Sequence, residues 1–159
     1  MIKYVPRMTS VVLEEIPDKL TLAVDISNCQ GTCIGCHSPF LRDDIGDELT
    51  PEIIDALIAD NLGVNCFLFL GEGNDHAALM RLADHIRRRH PALKLALYSG
   101  REAVEDDIWD VFDYVKVGPY IPKFGPLNHR STNQRLYYHR EDITSRFWHK
   151  GIDPNYRQP

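Results

Sequence analysis

Four short apolar runs, separated by segments with helical patterning, constrain this chain more than any other feature. Lys19 to Ile26 alternates Leu20, Leu22, Val24 and Ile26 with Thr21, Ala23 and Asp25, the period-two pattern of a strand with one apolar face and one small or polar face. Val64 to Leu70, Leu93 to Tyr98 and Tyr114 to Val117 are nearly continuous apolar runs, as expected of buried parallel strands. Thr50-Pro51-Glu52 reads as a helix start: a hydroxyl to cap free amides, a proline preset for the first turn, and an acid at the positive end of the dipole. Ile53, Ile54, Leu57 and Ile58 form the buried stripe of that helix, and Gly63 supplies its stop. Asn74 or Asp75 caps a second helix, which turns Leu79, Leu82, Ala83 and Ile86 inward and ends before Pro91. Arg87 to Arg89 then form a solvated helix terminus matched to the dipole. A third, short helix from Glu102 to Asp110 puts Val104 and Ile108 on one face.

Strands alternating with helices argue a right-handed βα series on a parallel sheet, of about four units. A complete eight-unit barrel takes ~250 residues, so a chain of 159 residues builds an open partial (β/α) barrel or a small doubly wound sheet. In both, the loops that carry chemistry gather at the C-terminal ends of the strands. The expected layout is one domain over residues 1–159, with a core at about 19–139 and short N- and C-terminal extensions. Residues 1–14 are expected to be extended, Gln134 to His139 a late short strand, and 140–159, poor in apolar residues from Phe147 onward, a loose tail.

The loop after the first strand is Cys29-Gln30-Gly31-Thr32-Cys33-Ile34-Gly35-Cys36, which places three of the four cysteines at CxxxCxxC spacing. Iron–sulfur clusters are normally held by four cysteines, so three thiolates point to a cluster with one iron left open to something other than protein. The competing site is a structural zinc with His37 as fourth ligand, although structural zinc ligands usually come in separated pairs rather than side by side as Cys36 and His37 are. A disulfide framework does not suit a chain with so little cysteine. Cys66, inside an apolar run, reads as a small core hydrophobe, which excludes a second cluster.

The net charge of −5 argues against a nucleic-acid partner, which would show as a basic face. No window approaches ~20 consecutive apolar residues, so neither a signal peptide nor a membrane span is expected and the setting is cytoplasmic. The seven histidines are scattered without an HxxxH pair, and most read as surface residues.

CxxxCxxC in the loop after the first strand of a βα series resembles the radical S-adenosylmethionine (SAM) superfamily. The resemblance implies an open partial barrel of that type. It also implies one [4Fe-4S] cluster on Cys29, Cys33 and Cys36, with the methionine part of SAM on the open iron. An electron from the cluster then cleaves SAM to methionine and a 5′-deoxyadenosyl radical, which abstracts a substrate hydrogen. Leu70-Gly71-Glu72 is similar to the superfamily's Gly-Gly-Glu motif, with Leu70 in place of the first glycine, and implies that Gly71 and Glu72 receive the SAM amino group. Gly35, where the superfamily usually has an aromatic residue, resembles the activating proteins of anaerobic ribonucleoside-triphosphate reductase. Cys36-His37-Ser38-Pro39, Lys116-Val117-Gly118-Pro119-Tyr120 and Thr132-Asn133-Gln134-Arg135-Leu136-Tyr137 look like the same family. Gly35, Cys36, His37, Ser99 and Lys116 are then further candidates for SAM contact. Lys116 qualifies if Val115 and Val117 face the helices, and a solvent-exposed lysine at a strand edge is the alternative. The implied partners are the large glycyl-radical subunit of an anaerobic ribonucleotide reductase and an electron donor such as flavodoxin or ferredoxin. An activase of a formate-lyase-type enzyme and a non-catalytic zinc- or cluster-binding adaptor are the alternatives.

Overall fold

A computed structural model describes residues 1–30 and 39–148. Cys33, Gly35, Cys36 and His37, and the tail from His149, lie outside the described residues. Strands β1 (Lys3–Tyr4), β2 (Ser10–Val12) and β3 (Thr21–Asp25) open the chain, followed by β4 (Asp47–Glu48) and helix α1 (Pro51–Asp60). Next come β5 (Cys66–Leu70), α2 (His76–Arg89), β6 (Lys94–Tyr98), α3 (Asp106–Val111), β7 (Tyr114–Val117), β8 (Arg135–Tyr138) and β9 (Glu141–Asp142). The protein is a mixed α/β fold with a seven-stranded mixed sheet in the order β2-β3-β5-β6-β7-β8-β9 and, among the described residues, three α-helices.

The four expected apolar runs are the four parallel strands β3, β5, β6 and β7, adjacent in chain order. Sequential parallel strands joined by right-handed crossovers place every helix on one side, and the packing agrees. Ile54 of α1, Leu79, Leu82, Ala83 and Ile86 of α2 and Ile108 of α3 share one core with Leu22, Val24, Phe67, Phe69, Leu95, Leu97, Val115 and Val117. The sheet is therefore wound on one side, and the doubly wound alternative is not the one adopted. The second face carries Ala23, Cys66, Leu68, Ala96, Tyr114 and Leu136, against which Ile16 is fully buried.

Local chemistry explains the helix bounds. The Thr50 hydroxyl accepts the Ile53 amide at 3.2 Å, and the Asp75 carboxylate accepts the Ala78 amide at 3.1 Å, so each side chain satisfies one of the amides a helix start leaves open. α1 stops at Asp60 with Asn61 as cap, two residues before Gly63, because the Asn61 side chain donates back to the Leu57 carbonyl at 2.8 Å. Of the last-turn arginines of α2, Arg87 is not simply solvated: it donates through Nε to the Val111 carbonyl at 2.8 Å and pairs with buried Asp113 at 2.8 Å.

The N-terminal segment and residues 141–148 are more structured than their composition indicates. β1 pairs antiparallel with β4, and β2 pairs antiparallel with β3. Residues 141–148 are not a loose tail: β9 pairs with β8, the Thr144 hydroxyl accepts the Leu136 amide at 2.9 Å, and the Trp148 indole donates to the Leu127 carbonyl at 3.1 Å. Among the described residues, no helix is long and apolar enough to cross a membrane.

Candidate functional site

The parallel register aligns Asp25, Leu70, Tyr98 and Lys116 as one row across β3, β5, β6 and β7. Residues in register share a face, so this row lies on the side away from the helices. The chain leaves each strand immediately beyond it, so the cysteine loop, Gly71-Glu72, Ser99-Gly100 and Gly118 all emerge from one edge of the sheet.

The base of the cysteine loop is fixed from both sides. The Cys29 amide donates to the Leu41 carbonyl at 2.8 Å and the Asn28 amide to the Asp43 carbonyl at 3.2 Å, lacing the outgoing stem to the returning one. The Ser27 hydroxyl donates to the Ile45 carbonyl at 2.7 Å, and the Ser27 amide to the Lys3 carbonyl at 3.0 Å, so the small β1–β4 sheet braces the same stem. Cys29 itself is half-buried at this edge.

Gly71 leaves β5 with φ +117°, a conformation open to glycine, and a Cβ there would lie 3.4 Å from the Ile26 carbonyl oxygen. Its amide donates to the Tyr98 carbonyl at 3.0 Å, which turns Glu72 back over the strand ends. The Glu72 carboxylate accepts the Ser99 hydroxyl and is gripped by Arg101, whose Nε reaches Oε2 at 3.0 Å and whose Nη2 reaches Oε1 at 2.6 Å. A carboxylate offers about four acceptor positions. Three are used here, which leaves Oε1 able to accept one more donor.

Lys116 is buried on the face away from the helices, with Val115 and Val117 in the helix-side core. The solvent-exposed alternative is thus overturned by alternation across a fully covered strand. Its ammonium donates to the carbonyls of Ser99 at 3.1 Å and Gly118 at 3.2 Å, and sits 5.5 Å from the Tyr98 ring centroid. Glu72, Ser99 and Lys116 are therefore joined through Ser99, whose hydroxyl meets the carboxylate and whose carbonyl meets the ammonium. The late Thr132-Asn133-Gln134 element backs the Gly118 turn: Asn133 donates to the Pro119 carbonyl at 2.9 Å and Gln134 to the Gly118 carbonyl at 3.4 Å.

The electrostatics follow from these contacts. Hydrogen bonds from Arg101 hold the Glu105 carboxyl down at about 2, well below its ordinary 4.5. The Glu72 and Glu105 carboxylates keep the Arg101 guanidinium still more firmly protonated. Burial, then the charge of Glu15, raises the Asp25 carboxyl, and the same two causes in the same order raise the Tyr98 phenol. Burial pushes the Cys66 thiol up to about 12, in keeping with a core residue rather than a ligand.

Cys33, Gly35, Cys36 and His37 lie outside the described residues; the other expected site residues, Cys29, Gly71, Glu72, Ser99 and Lys116, share one edge of the sheet. Arg101 was not anticipated, and the signal for it was only its place two residues beyond Ser99 in a strand-end loop. The expectation that the histidines stay apart fails at His85 and His90, which meet at Asp55 on the helix layer. Comparison with protein-family models, with curated proteins and with solved structures found no match.

Proposed function

We propose that this chain is a radical SAM activase, built as an open partial (β/α) barrel, that generates the glycyl radical of an anaerobic ribonucleoside-triphosphate reductase. The observation that carries the reading is the Glu72 carboxylate, fixed at the edge from which the cysteine loop emerges and retaining one acceptor position. The donor set fits the groups the reading requires. Cys29, Cys33 and Cys36 supply three thiolates, and a [4Fe-4S] cluster on three thiolates keeps one iron for SAM. Bound together, cluster and SAM supply a one-electron donor and a cleavable sulfonium bond.

The chain's own residues bind and orient. The free lone pair of Glu72 Oε1 receives the SAM ammonium, while Ser99 and Arg101 prevent the carboxylate from rotating away. Gly71 lets the backbone approach SAM where a side chain would intrude. Lys116 offers positive charge to the SAM carboxylate or ribose from the floor of the site. Gly35 and His37 flank the third cysteine in sequence and are the remaining candidates for SAM contact. The partner is a backbone glycine in the large reductase subunit, reached through the open side of the barrel. A one-electron protein such as flavodoxin or ferredoxin supplies the electron.

Anaerobic reconstitution with iron and sulfide tests this. The expected product is a brown protein with about four irons that converts SAM to 5′-deoxyadenosine when given a reductant. A colourless zinc protein, or SAM cleavage retained in Cys33→Ala, overturns it. A glycyl-radical electron paramagnetic resonance signal on a reductase, and none on a formate-lyase-type enzyme, distinguishes the two classes of partner.

A further inference from the structure

A second cluster of chemically capable side chains lies on the helix layer. Asp55 projects from the middle of α1, His85 from the C-terminal half of α2, and His90 is the residue that caps α2. The His85 and His90 Nε2 atoms both point at Asp55 Oδ1, at 2.8 and 2.7 Å. Their rings are 6.3 Å apart and inclined at 69°. All three side chains are largely enclosed, at 34% exposure for Asp55, 20% for His85 and 22% for His90.

The convergence depends on where α2 ends. Two helical residues five apart are rotated by about 140° relative to each other, onto nearly opposite faces. His90 escapes this because its backbone has left the helix, with φ −131° and ψ 59°, while its amide still donates to the Ile86 carbonyl at 2.8 Å. The helix end thus swings the His90 imidazole back beside His85, onto the α1 side.

We propose that Asp55, His85 and His90 bind a divalent transition metal, with zinc the ion their donors suit, and that the metal ties α1 to α2. Two imidazole nitrogens and one carboxylate oxygen form a borderline donor set that matches zinc, and three protein ligands leave one position for water. The three ligand atoms lie within 4.8 Å of one another. Zinc bonds of about 2.0–2.1 Å in a tetrahedron separate ligand atoms by about 3.3 Å, so each imidazole nitrogen needs to draw back from the carboxylate oxygen by only about 0.5 Å to admit the ion. The two nitrogens, within 4.8 Å of each other, close on the same edge length. Two helices fix the ligands, and each ring binds the ion through the Nε2 lone pair of its Nδ1–H tautomer, so that the metal takes the place of the present contacts to Asp55. This site is independent of the proposed cluster chemistry. It sits on the helix side of the sheet, at the end where α2 finishes and β6 begins, away from the strand-end loops.

Cobalt is the probe, because its spectrum separates thiolate from nitrogen and oxygen ligands. In the Cys29→Ser/Cys33→Ser/Cys36→Ser chain, which cannot bind metal in the cysteine loop, one equivalent of Co²⁺ is expected to give visible d–d bands without sulfur-to-cobalt charge transfer. Zn²⁺ should displace it and raise the melting temperature. His85→Gln, His90→Gln and Asp55→Asn are each expected to weaken Zn²⁺ binding at least ~10-fold while the far-ultraviolet circular dichroism is kept. If the triple serine chain does not fold, alkylation of the cysteine-loop thiols of the unaltered chain gives the same background. Absence of a d–d spectrum, or a spectrum and Zn²⁺ affinity unchanged in the histidine variants, overturns the proposal and leaves the trio as a hydrogen-bonded link between helices.

Discussion

Arg101 grips Glu72 through two parallel hydrogen bonds, Nε to Oε2 at 3.0 Å and Nη2 to Oε1 at 2.6 Å, and extends its second fork to Glu105. The bidentate contact fixes the carboxylate plane, whereas a single bond would let it turn. Glu72→Ala is expected to weaken SAM binding by at least ~10-fold, or about 1.4 kcal/mol. Arg101→Ala, which removes only the orienting group, should cost less, and Arg101→Lys should fail to restore it because a point charge cannot hold two oxygens. Equilibrium dialysis against cluster-loaded protein measures both, and unchanged iron content separates lost orientation from lost cluster. Equal SAM affinity in Glu72→Ala and the unaltered chain would falsify the role given to Glu72.

Lys116 is nearly isosteric with methionine, so Lys116→Met tests its charge with little change of volume. Two carbonyls, of Ser99 and Gly118, lose a buried donor. A drop of about 1–3 kcal/mol in unfolding free energy is expected by denaturant titration. SAM affinity should fall as well. A purely structural lysine would move the first measurement and leave the second alone.

Cys66 is predicted to resist alkylation. Burial holds its thiol up to about 12, so at pH 8 almost none of it is the reactive thiolate, and the side chain is also out of reach. Iodoacetamide followed by peptide mapping should leave Cys66 unmodified in the native chain and modify it in guanidinium. Rapid native labelling would contradict the packing described for β5.

The Arg101–Glu105 contact gives a pH dependence whose sign can be worked out. Glu105 titrates at about 2 when folded, against an ordinary value of 4.5. The depressed value means that its stabilising contribution is full above the ordinary value and is lost as pH falls from there through about 2. The pair is about half exposed, at 47% and 46%, so solvent screens it and the contribution is below about 1 kcal/mol. Melting temperatures measured between pH 5 and pH 2 should fall less steeply in Glu105→Gln than in the unaltered chain.

Gly46 adopts φ +86°, and a Cβ there would stand 2.0 Å from the Tyr4 carbonyl oxygen, so Gly46→Ala must push β1 and β4 apart. Those strands brace Ser27 at the base of the cysteine loop. The variant is expected to lose about 1–3 kcal/mol of stability and to reconstitute with less iron. Normal iron uptake in a destabilised Gly46→Ala protein would show that the brace is dispensable.

Where one local pattern decides the structure, the sequence was readable. Alternation along Tyr114–Val117 set Lys116 on the face opposite Val115 and Val117 and left open only whether that face is covered, and Thr50-Pro51-Glu52 marked the start of α1 to the residue. What escaped depends on pairings that no periodicity encodes. Arg101 looked like an ordinary loop residue until the sheet brought β5 and β6 side by side and set it against Glu72. His85 and His90 have a spacing that no helix face shares, and only the non-helical backbone at the cap unites them. Thr144 is polar in a polar stretch, yet it is buried because it takes over the Leu136 amide where β9 has already turned away. The cysteine loop was conspicuous in sequence, and the structure places its base, through Asn28 and Cys29, while Cys33 and Cys36 lie outside the described residues.

The outermost strands of the large sheet are β2 and β9, three and two residues long, and both run antiparallel to their neighbours. Such margins offer an incoming peptide almost no backbone to pair with, and β9 adds the negative charges of Glu141 and Asp142. A long, flat margin would invite edge-to-edge association of copies and capture of extended segments by strand addition. This sheet is poorly suited to either. A protein that docks here must be recognised by side chains and loops, and the chain should remain dispersed at concentrations where a sheet with open margins would begin to stack.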